Sequence, residues 1–311
     1  MANLISVVVP VFNEEETIGI YLNEMSKIEE EMTGVQFEYW FVDDGSSDNT
    51  LRVLHSEQEN DQERVHFISF SRNFGKEAAL MAGLSRATGD YVVVMDVDLQ
   101  DPPELLPEMY DGVRGGELDA VGTRRENREG EPRLRSWFSS MFYRLINMIS
   151  DTEIVEGTRD YRIMNRQMVD AILSTKEYNR FSKGIFVWVG FKQKYISYRN
   201  TARSAGKTSW SFGSLLKYSI EGIVDFSTAP LTAVAVMGMM SFVLSIIGAV
   251  FIVVRAIFDT NSSVSGWPSL VVILLFLGGI QLLSIGVVGR YLAGVFLEVK
   301  QRPLYLVREE K

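Results

Sequence analysis

The sequence predicts an α/β fold built on a parallel sheet and followed by two membrane-spanning helices. Up to about residue 226, short β-branched runs alternate with amphipathic stretches, the pattern of strands joined by crossover helices. Beyond it, residues 229–254 and 269–289 contain no charged residue. Acidic residues gather where the strand-like runs end, which is where open parallel sheets bind ligands.

The first strand is expected over residues 4–10. The opening MANLISVVVPVFNEEE has no basic start and reaches acids soon after its apolar stretch, so it reads as a strand and not a signal peptide, with the chain beginning in the cytosol. Further strands are expected at 37–42, 65–71, 91–95 and 119–123, and helices over 14–31 and 75–87. Residues 133–149 place Trp137, Met141, Phe142, Leu145 and Met148 along one side, with Arg133, Arg135 and Arg144 nearby. This suits a helix lying on a membrane surface, although a core-facing helix has the same spacing. Residues 212–226 read as a second, juxtamembrane amphipathic helix.

Roughly 20 apolar residues cross the ~30 Å hydrocarbon core of a bilayer, so each uncharged run is a span candidate, and a pair of buried helices is the alternative. Between the spans, residues 256–268 hold Asp259 and no lysine or arginine. Lys217 precedes the first span, and Lys300, Arg302 and Arg308 follow the second. Both ends are therefore expected in the cytosol. The expected division is a catalytic domain over 1–211, the juxtamembrane helix over 212–226, a hairpin over 227–298 and a cytosolic tail over 299–311. No internal repeat is visible.

Composition narrows the chemistry. A formal charge of −9 over 311 residues argues against a general nucleic-acid binder, whose surface needs a basic excess. With no cysteine and only His55 and His66, there is no disulfide framework, thiol nucleophile or histidine-rich zinc centre. A metal here must be held by oxygen. Three clusters supply it: Pro10-Val11-Phe12-Asn13-Glu14, Asp43-Asp44-Gly45-Ser46-Ser47-Asp48, and Asp96-Val97-Asp98-Leu99-Gln100-Asp101. Each also fits an ordinary turn, and Asp48 reads as a helix cap. Asp96 and Asp98, two apart at a strand end, can turn toward one ion with Gln100 adding a neutral oxygen. That set suits Mg²⁺ or Mn²⁺, with a diphosphate completing the shell.

The segments VVVPVFNEE, FVDDGSSDNT, SRNFGKEAAL, ATGDYVVVMDVDLQDPPE, RDYRIMNR and RSAGKTSW, in this order, resemble the family 2 glycosyltransferases of GT-A (Rossmann-like) fold. The chain is similar over essentially its whole length to polyisoprenyl-phosphate glycosyltransferases of the bactoprenol glucosyltransferase type, relatives of dolichol-phosphate mannose synthase. The resemblance implies inverting, metal-dependent transfer of a sugar, glucose above others, from a UDP-sugar to undecaprenyl phosphate. It implies a multi-pass enzyme of the bacterial plasma membrane with a cytosolic catalytic domain, acting in cell-envelope glycan modification. A homo-oligomer and a downstream flippase belong to the same expectation. N-acetylglucosamine, galactose and GDP-sugars are the alternative donors.

Position by position, the resemblance puts Pro10, Asn13, Glu14, Asp43, Asp44 and Asp96 on the donor nucleotide and Asp96, Asp98 and Gln100 on the metal. Arg124, Arg162 and Arg135 are expected on the acceptor phosphate, and Arg203 on the diphosphate. Asp98, Asp160, Arg124 and Arg203 carry the catalysis. Two departures stand out: Arg159 where many relatives have glycine, and Ser209 where they often have lysine. An acceptor phosphate, with its second pKa near 6, needs little help from a base, so Asp160 is equally suited to orienting Arg124 or Arg162. Residues 124–135 fit a closing lid or a solvated loop.

Three other readings are weaker. Gly206-Lys207-Thr208 is no P-loop, because Thr201 stands where the leading glycine is needed. A processive polysaccharide synthase would need a Gln-x-x-Arg-Trp motif, which is missing. A non-catalytic sugar-nucleotide-binding scaffold would not need Asp96 and Asp98.

Overall fold

The protein is described from a computed structural model covering residues 3–125, 147–148, 155, 157–198, 227–258 and 266–311. The stretches expected at 133–149 (apart from Asn147 and Met148) and 212–226 lie outside the described residues. So do Arg135, Arg203 and the 259–265 connection.

At the centre lies β1 (Asn3–Val11), flanked in parallel by β2 (Val35–Asp43) and β4 (Tyr91–Val94). Its middle is buried without interruption because helices cover both faces of the sheet, which is why it reads as a continuous β-branched run. Outside β2 lies β3 (Val65–Phe70), also parallel. The crossovers are α1 (Ile18–Glu31), α2 (Thr50–Asn60) and α3 (Lys76–Arg86).

Four more strands complete the sheet: β5 (Ala120–Arg125), β6 (Thr158–Asn165), β7 (Gln193–Tyr198) and β8 (Val307–Glu310). The full order is β7-β5-β6-β4-β1-β2-β3-β8. Strand order reverses between β1 and β4, which opens a crevice at their carboxyl ends.

The expectation of a purely parallel sheet is corrected here: β6 runs antiparallel to both β4 and β5, and β8 antiparallel to β3. A strand inserted between β4 and β5 can return against both of them, which a parallel strand could do only through another crossover helix.

Helix sequences explain their seats. In α1, Ile18, Tyr21, Met25 and Ile28 recur at helical spacing and are buried. They share one core with Val7, Phe41 and Phe67 of the sheet and with α4 (Leu106–Arg114). The other face is covered by α3, α5 (Arg166–Ser174) and α6 (Ser182–Trp188). There α3 packs so closely that a Cβ on Gly83 would lie 2.3 Å from Val8 Cγ1. The position therefore excludes a side chain, and α3 is pressed onto the middle of β1.

After β7 come α7 (Ala229–Phe258) and α8 (Trp267–Lys300), of 30 and 34 residues. Both are long and apolar enough to cross a membrane, with windows of mean hydropathy 2.1 and 1.7. None of either window is buried within the chain, whereas a core helix would be mostly buried. The chain then returns to the sheet. Lys311 exchanges backbone hydrogen bonds with Phe67 (2.9 and 3.0 Å), and Tyr305 stacks on Phe70 with centroids 4.8 Å apart. Arg86 donates to Glu310 at 3.0 Å.

Candidate functional site

The loops that leave β1, β2 and β4 meet at the switch point. After β1, Asn13 adopts a left-handed backbone (φ 55°) and its amide oxygen accepts from the Ser47 N–H at 2.8 Å. Its own N–H donates to Ser46 Oγ, and that of Glu14 to Thr50 Oγ1. Pro10 is half-buried just before this turn. The first two expected clusters are thus stitched together, with Asn13 and Glu14 fixed by residues 46–50.

Asp43 and Asp44, expected on the donor nucleotide, are both buried at the end of β2. Asp43 is 1% exposed, accepting from Ser46 N–H at 2.9 Å and Ser69 Oγ at 2.7 Å. Asp44 is 5% exposed and accepts from the N–H groups of Phe74 (2.6 Å) and Gly75 (2.9 Å). Desolvation lifts its pKa above the ordinary carboxylate value despite these bonds. Both carboxylates here brace the loops around them. Gly45 is required between them and Ser46: its φ is +70°, and a Cβ there would lie 2.4 Å from the Arg72 carbonyl carbon.

Past β4 the chain bends at Leu99, a second left-handed residue (φ 54°). Such a conformation in a leucine costs on the order of 1 kcal/mol and is held by its surroundings. It turns the acidic run back into the crevice, where the Gln100 N–H donates to Asp98 Oδ1 at 3.1 Å.

Asp96 reaches across to a residue absent from the expected set. Lys76, the first residue of α3, places its ammonium 2.6 Å from Asp96 Oδ1 and 2.9 Å from Oδ2. The same nitrogen lies 2.6 Å from Asp160 Oδ2 on β6. Two carboxylates 64 residues apart in sequence (160 less 96) thus converge on one positive charge. Loss of hydration alone would raise the Asp160 pKa, but Lys76 and Lys183 outweigh it and hold it far below the usual carboxylate range. Desolvation likewise opposes the Lys76 charge, and Asp160 and Asp96 override it, keeping the ammonium protonated well above its ordinary pKa.

Arg159, one of the two departures, has a clear place. Its guanidinium donates to Asp101 Oδ1 (3.1 Å), the Tyr198 hydroxyl (3.3 Å) and Gln100 Oε1 (3.4 Å). Tyr198 also donates to Asp101. A glycine could not tie the acidic loop to β7 in this way. Gln100, expected on the metal, already shares its oxygen with this cation.

The arginines divide. Arg124 is exposed at the carboxyl end of β5, in register with Thr158 and Ser197. Arg162, expected on the acceptor phosphate, is 1% exposed and lies under the site. Its guanidinium carbon sits 3.8 Å from the Phe186 ring centroid, and the group donates to the carbonyls of Arg159 (3.1 Å) and Asp160 (3.4 Å). It braces the start of β6, which presents Asp160, and desolvation lowers its pKa.

The donors available to a metal are hard oxygens: Asp96 and Asp98, with Asp160 facing the same point as Asp96. Among the described residues no group of three His, Cys, Asp or Glu is assembled to hold an ion. What does fit is the donor chemistry at the end of β4: Asp96 already meets a cation in Lys76, Asp98 stands two residues on, and magnesium-like ions commonly take one or two carboxylates and leave the rest to water and phosphate.

Lys76 could have been found from sequence. It follows Gly75 and opens a helix, where a cation opposes the positive end of the helix dipole, and such a rule broken at the edge of a site marks function.

Comparison with known proteins places these features. Residues 6–173 match glycosyl transferase family 2. The prophage bactoprenol glucosyl transferase homolog of Escherichia coli K12 is 41% identical over 308 residues, covering 99% of both chains. The bactoprenol glucosyl transferase of Shigella phage SfX is 40% identical over 307 residues, again covering 99% of each. Among solved structures, glucosyl-3-phosphoglycerate synthase from Mycobacterium tuberculosis, in complex with Mn²⁺, UDP and glucosyl-3-phosphoglycerate, superposes with a TM-score of 0.50 at 19% identity. That match covers 71% of this chain and 78% of the other, and shows a shared GT-A fold.

Proposed function

Because the chain belongs to glycosyl transferase family 2, we propose that it transfers a sugar from a nucleotide donor to the phosphate of a membrane polyprenol. The donor is UDP-glucose, the acceptor is undecaprenyl phosphate, and the reaction inverts the anomeric configuration. The site works at the cytosolic face of a bacterial plasma membrane that α7 and α8 cross as a hairpin. One observation carries this reading. Carboxylates that hold a cation lie at the switch point of a sheet whose last strand leads directly from two membrane-length helices.

The donor's diphosphate is anionic and the surrounding crevice is acidic, so binding needs a cation between them. The proposed ion is Mg²⁺ or Mn²⁺ at Asp96 and Asp98, supported by their hard-oxygen chemistry and by the Mn²⁺ bound with UDP in the M. tuberculosis synthase. When bound, it would neutralise charge growing on the leaving diphosphate. Arg203 serves the same group.

At the acceptor side, Arg124 meets the lipid phosphate as it enters at headgroup level. The phosphate is largely ionised at neutral pH and attacks without a base. Asp160, paired with Lys76 and presented by the Arg162-braced start of β6, orients the reacting groups and stays ionised throughout.

Membranes containing the protein, supplied with undecaprenyl phosphate and labelled UDP- or GDP-sugars, test this directly. Label from UDP-glucose is expected in the lipid fraction on chromatography. Label from another sugar only would change the donor, and no lipid label from any donor would leave a sugar-nucleotide-binding scaffold.

A further inference from the structure

We propose that Lys76 is a built-in counter-ion that spans Asp96 and Asp160 in the metal-free enzyme and releases Asp96 when the divalent ion binds. The inference rests on the metal reading above and adds a residue which that reading does not contain.

Three observations carry it. First, the ammonium faces both oxygens of Asp96, at 2.6 and 2.9 Å, so an ion settling on that carboxylate meets a positive charge already in place and is repelled by it. Second, Lys76 has somewhere to remain: Asp160 Oδ2 lies 2.6 Å from the same nitrogen, so letting go of Asp96 leaves the charge paired. Third, the side chain can move. It is 39% exposed and hangs on a flexible four-carbon stem from the first residue of α3, where it gains nothing from the helix dipole.

The consequence is a site that keeps its geometry when empty. Two carboxylates aimed at one point repel each other unless a positive charge lies between them, and Lys76 supplies it from within the chain. The same ammonium competes with the incoming ion and weakens its affinity. With the ion bound, Lys76 stays on Asp160 and keeps that carboxylate from joining the metal's ligands, leaving those positions for the diphosphate.

A purely structural lysine and a competing one predict opposite signs. Full-length protein in lipid nanodiscs is titrated with Mn²⁺ alone, and free ion is read from its paramagnetic resonance signal. Lys76→Met is expected to bind Mn²⁺ about tenfold more tightly than wild type, equivalent to about 1.4 kcal/mol. Lys76→Gln should behave alike and carries the comparison if the methionine variant does not fold. Lys76→Arg, which keeps the charge, should stay near wild type.

Unchanged or weaker Mn²⁺ binding in the folded neutral variants would overturn the proposal. Asp96→Asn separates the two levels. If it abolishes Mn²⁺ binding while Lys76→Met gains nothing, the metal reading stands and the role of Lys76 falls. If Asp96→Asn binds Mn²⁺ like wild type, both fall.

Discussion

A carboxylate held 2.6 Å from an ammonium is a poor proton acceptor, and Asp160 is held so by Lys76. Its pKa is depressed, so it loses its proton below the ordinary carboxylate range and does not titrate anywhere from pH 5 to 9. The acceptor phosphate does titrate there, near pH 6. Turnover should therefore rise with pH through about 6 and then level. Asp160→Asn should lower kcat without moving that rise; an acidic limb that shifts or vanishes in a pH–rate profile of the variant would restore Asp160 as the base. Asp96→Asn and Asp98→Asn should each cut turnover at least ~10²-fold, the loss typical of removing a main electrostatic stabiliser. Near-normal rates in EDTA-treated, metal-reconstituted membranes would refute that role. At this scale the acidic run 96–101 was legible because aspartates two apart after a β-branched strand have few other uses. The partners of Lys76 were not, since they lie 20 and 84 residues away and only the fold brings them to it. Burial was not legible either: Asp43, Asp44 and Arg162 have the chemistry of ligands, and nothing in their motifs shows that the fold buries them against the Ser69 hydroxyl, the Phe186 ring and backbone groups of neighbouring loops and strands.

Elements position these residues through a few joints. Glu77, next to Lys76 on α3, accepts from the backbone N–H of Ser182 (3.2 Å) and from its hydroxyl, so the starts of α3 and α6 are clamped. Burial raises the Glu77 pKa, and the Ser182 bonds only partly offset it. The folded state therefore binds this proton more tightly than the unfolded chain. Stability from Glu77 is present at low pH and is lost as pH climbs from the unfolded value, about 4.3, through the raised folded one. Glu77→Gln should thus gain on wild type in thermal unfolding between pH 5 and 7.5; a constant difference across that range would mean Glu77 is ionised with no penalty. The strands differ in legibility for a physical reason. The first four are covered on both faces, so their sequences are rich in β-branched and aromatic residues (VVV in β1 and β4, YWFV in β2). In contrast, β6 (TRDYRIMN) carries Arg159, Asp160 and Arg162 because its end lies in the site, and β8 (VREE) is a short edge strand facing water. Each pairs antiparallel, and each was missed. A burial-driven signal fades where a strand serves chemistry or closes an edge.

At the scale of the whole molecule, β8 fixes the topology more firmly than charge does. Because β8 pairs with β3, the chain that leaves the catalytic domain through α7 must come back to it after α8. If both helices cross the bilayer, both ends lie on one side. Helix length agrees: 34 residues rise about 51 Å against a core of ~30 Å, so α8 projects well beyond the bilayer. The projecting part lies on the catalytic side, where Glu298 accepts from the Tyr178 N–H at 2.7 Å and Tyr291 donates to the Ser227 carbonyl at 2.6 Å. The hairpin was legible as two uncharged runs, whereas this return to the sheet was not, because nothing in six linking residues and a polar tetrapeptide signals a strand. By the positive-inside rule, the side richer in basic residues is the one expected in the cytosol. Between 229 and 289 the only one is Arg255, whereas Arg290, Lys300, Arg302 and Arg308 cluster after the second run. The chain has no cysteine, so single substitutions report cleanly. On intact cells, an impermeant thiol reagent should label Ser262→Cys, between the two helices, and leave Ser56→Cys on α2 unlabelled until the membrane is opened. Labelling of Ser56→Cys alone would invert the orientation. Protection of both until permeabilisation would mean that the helices lie on the membrane without crossing it, and the lipid acceptor would then have to reach a site held by surface contact only.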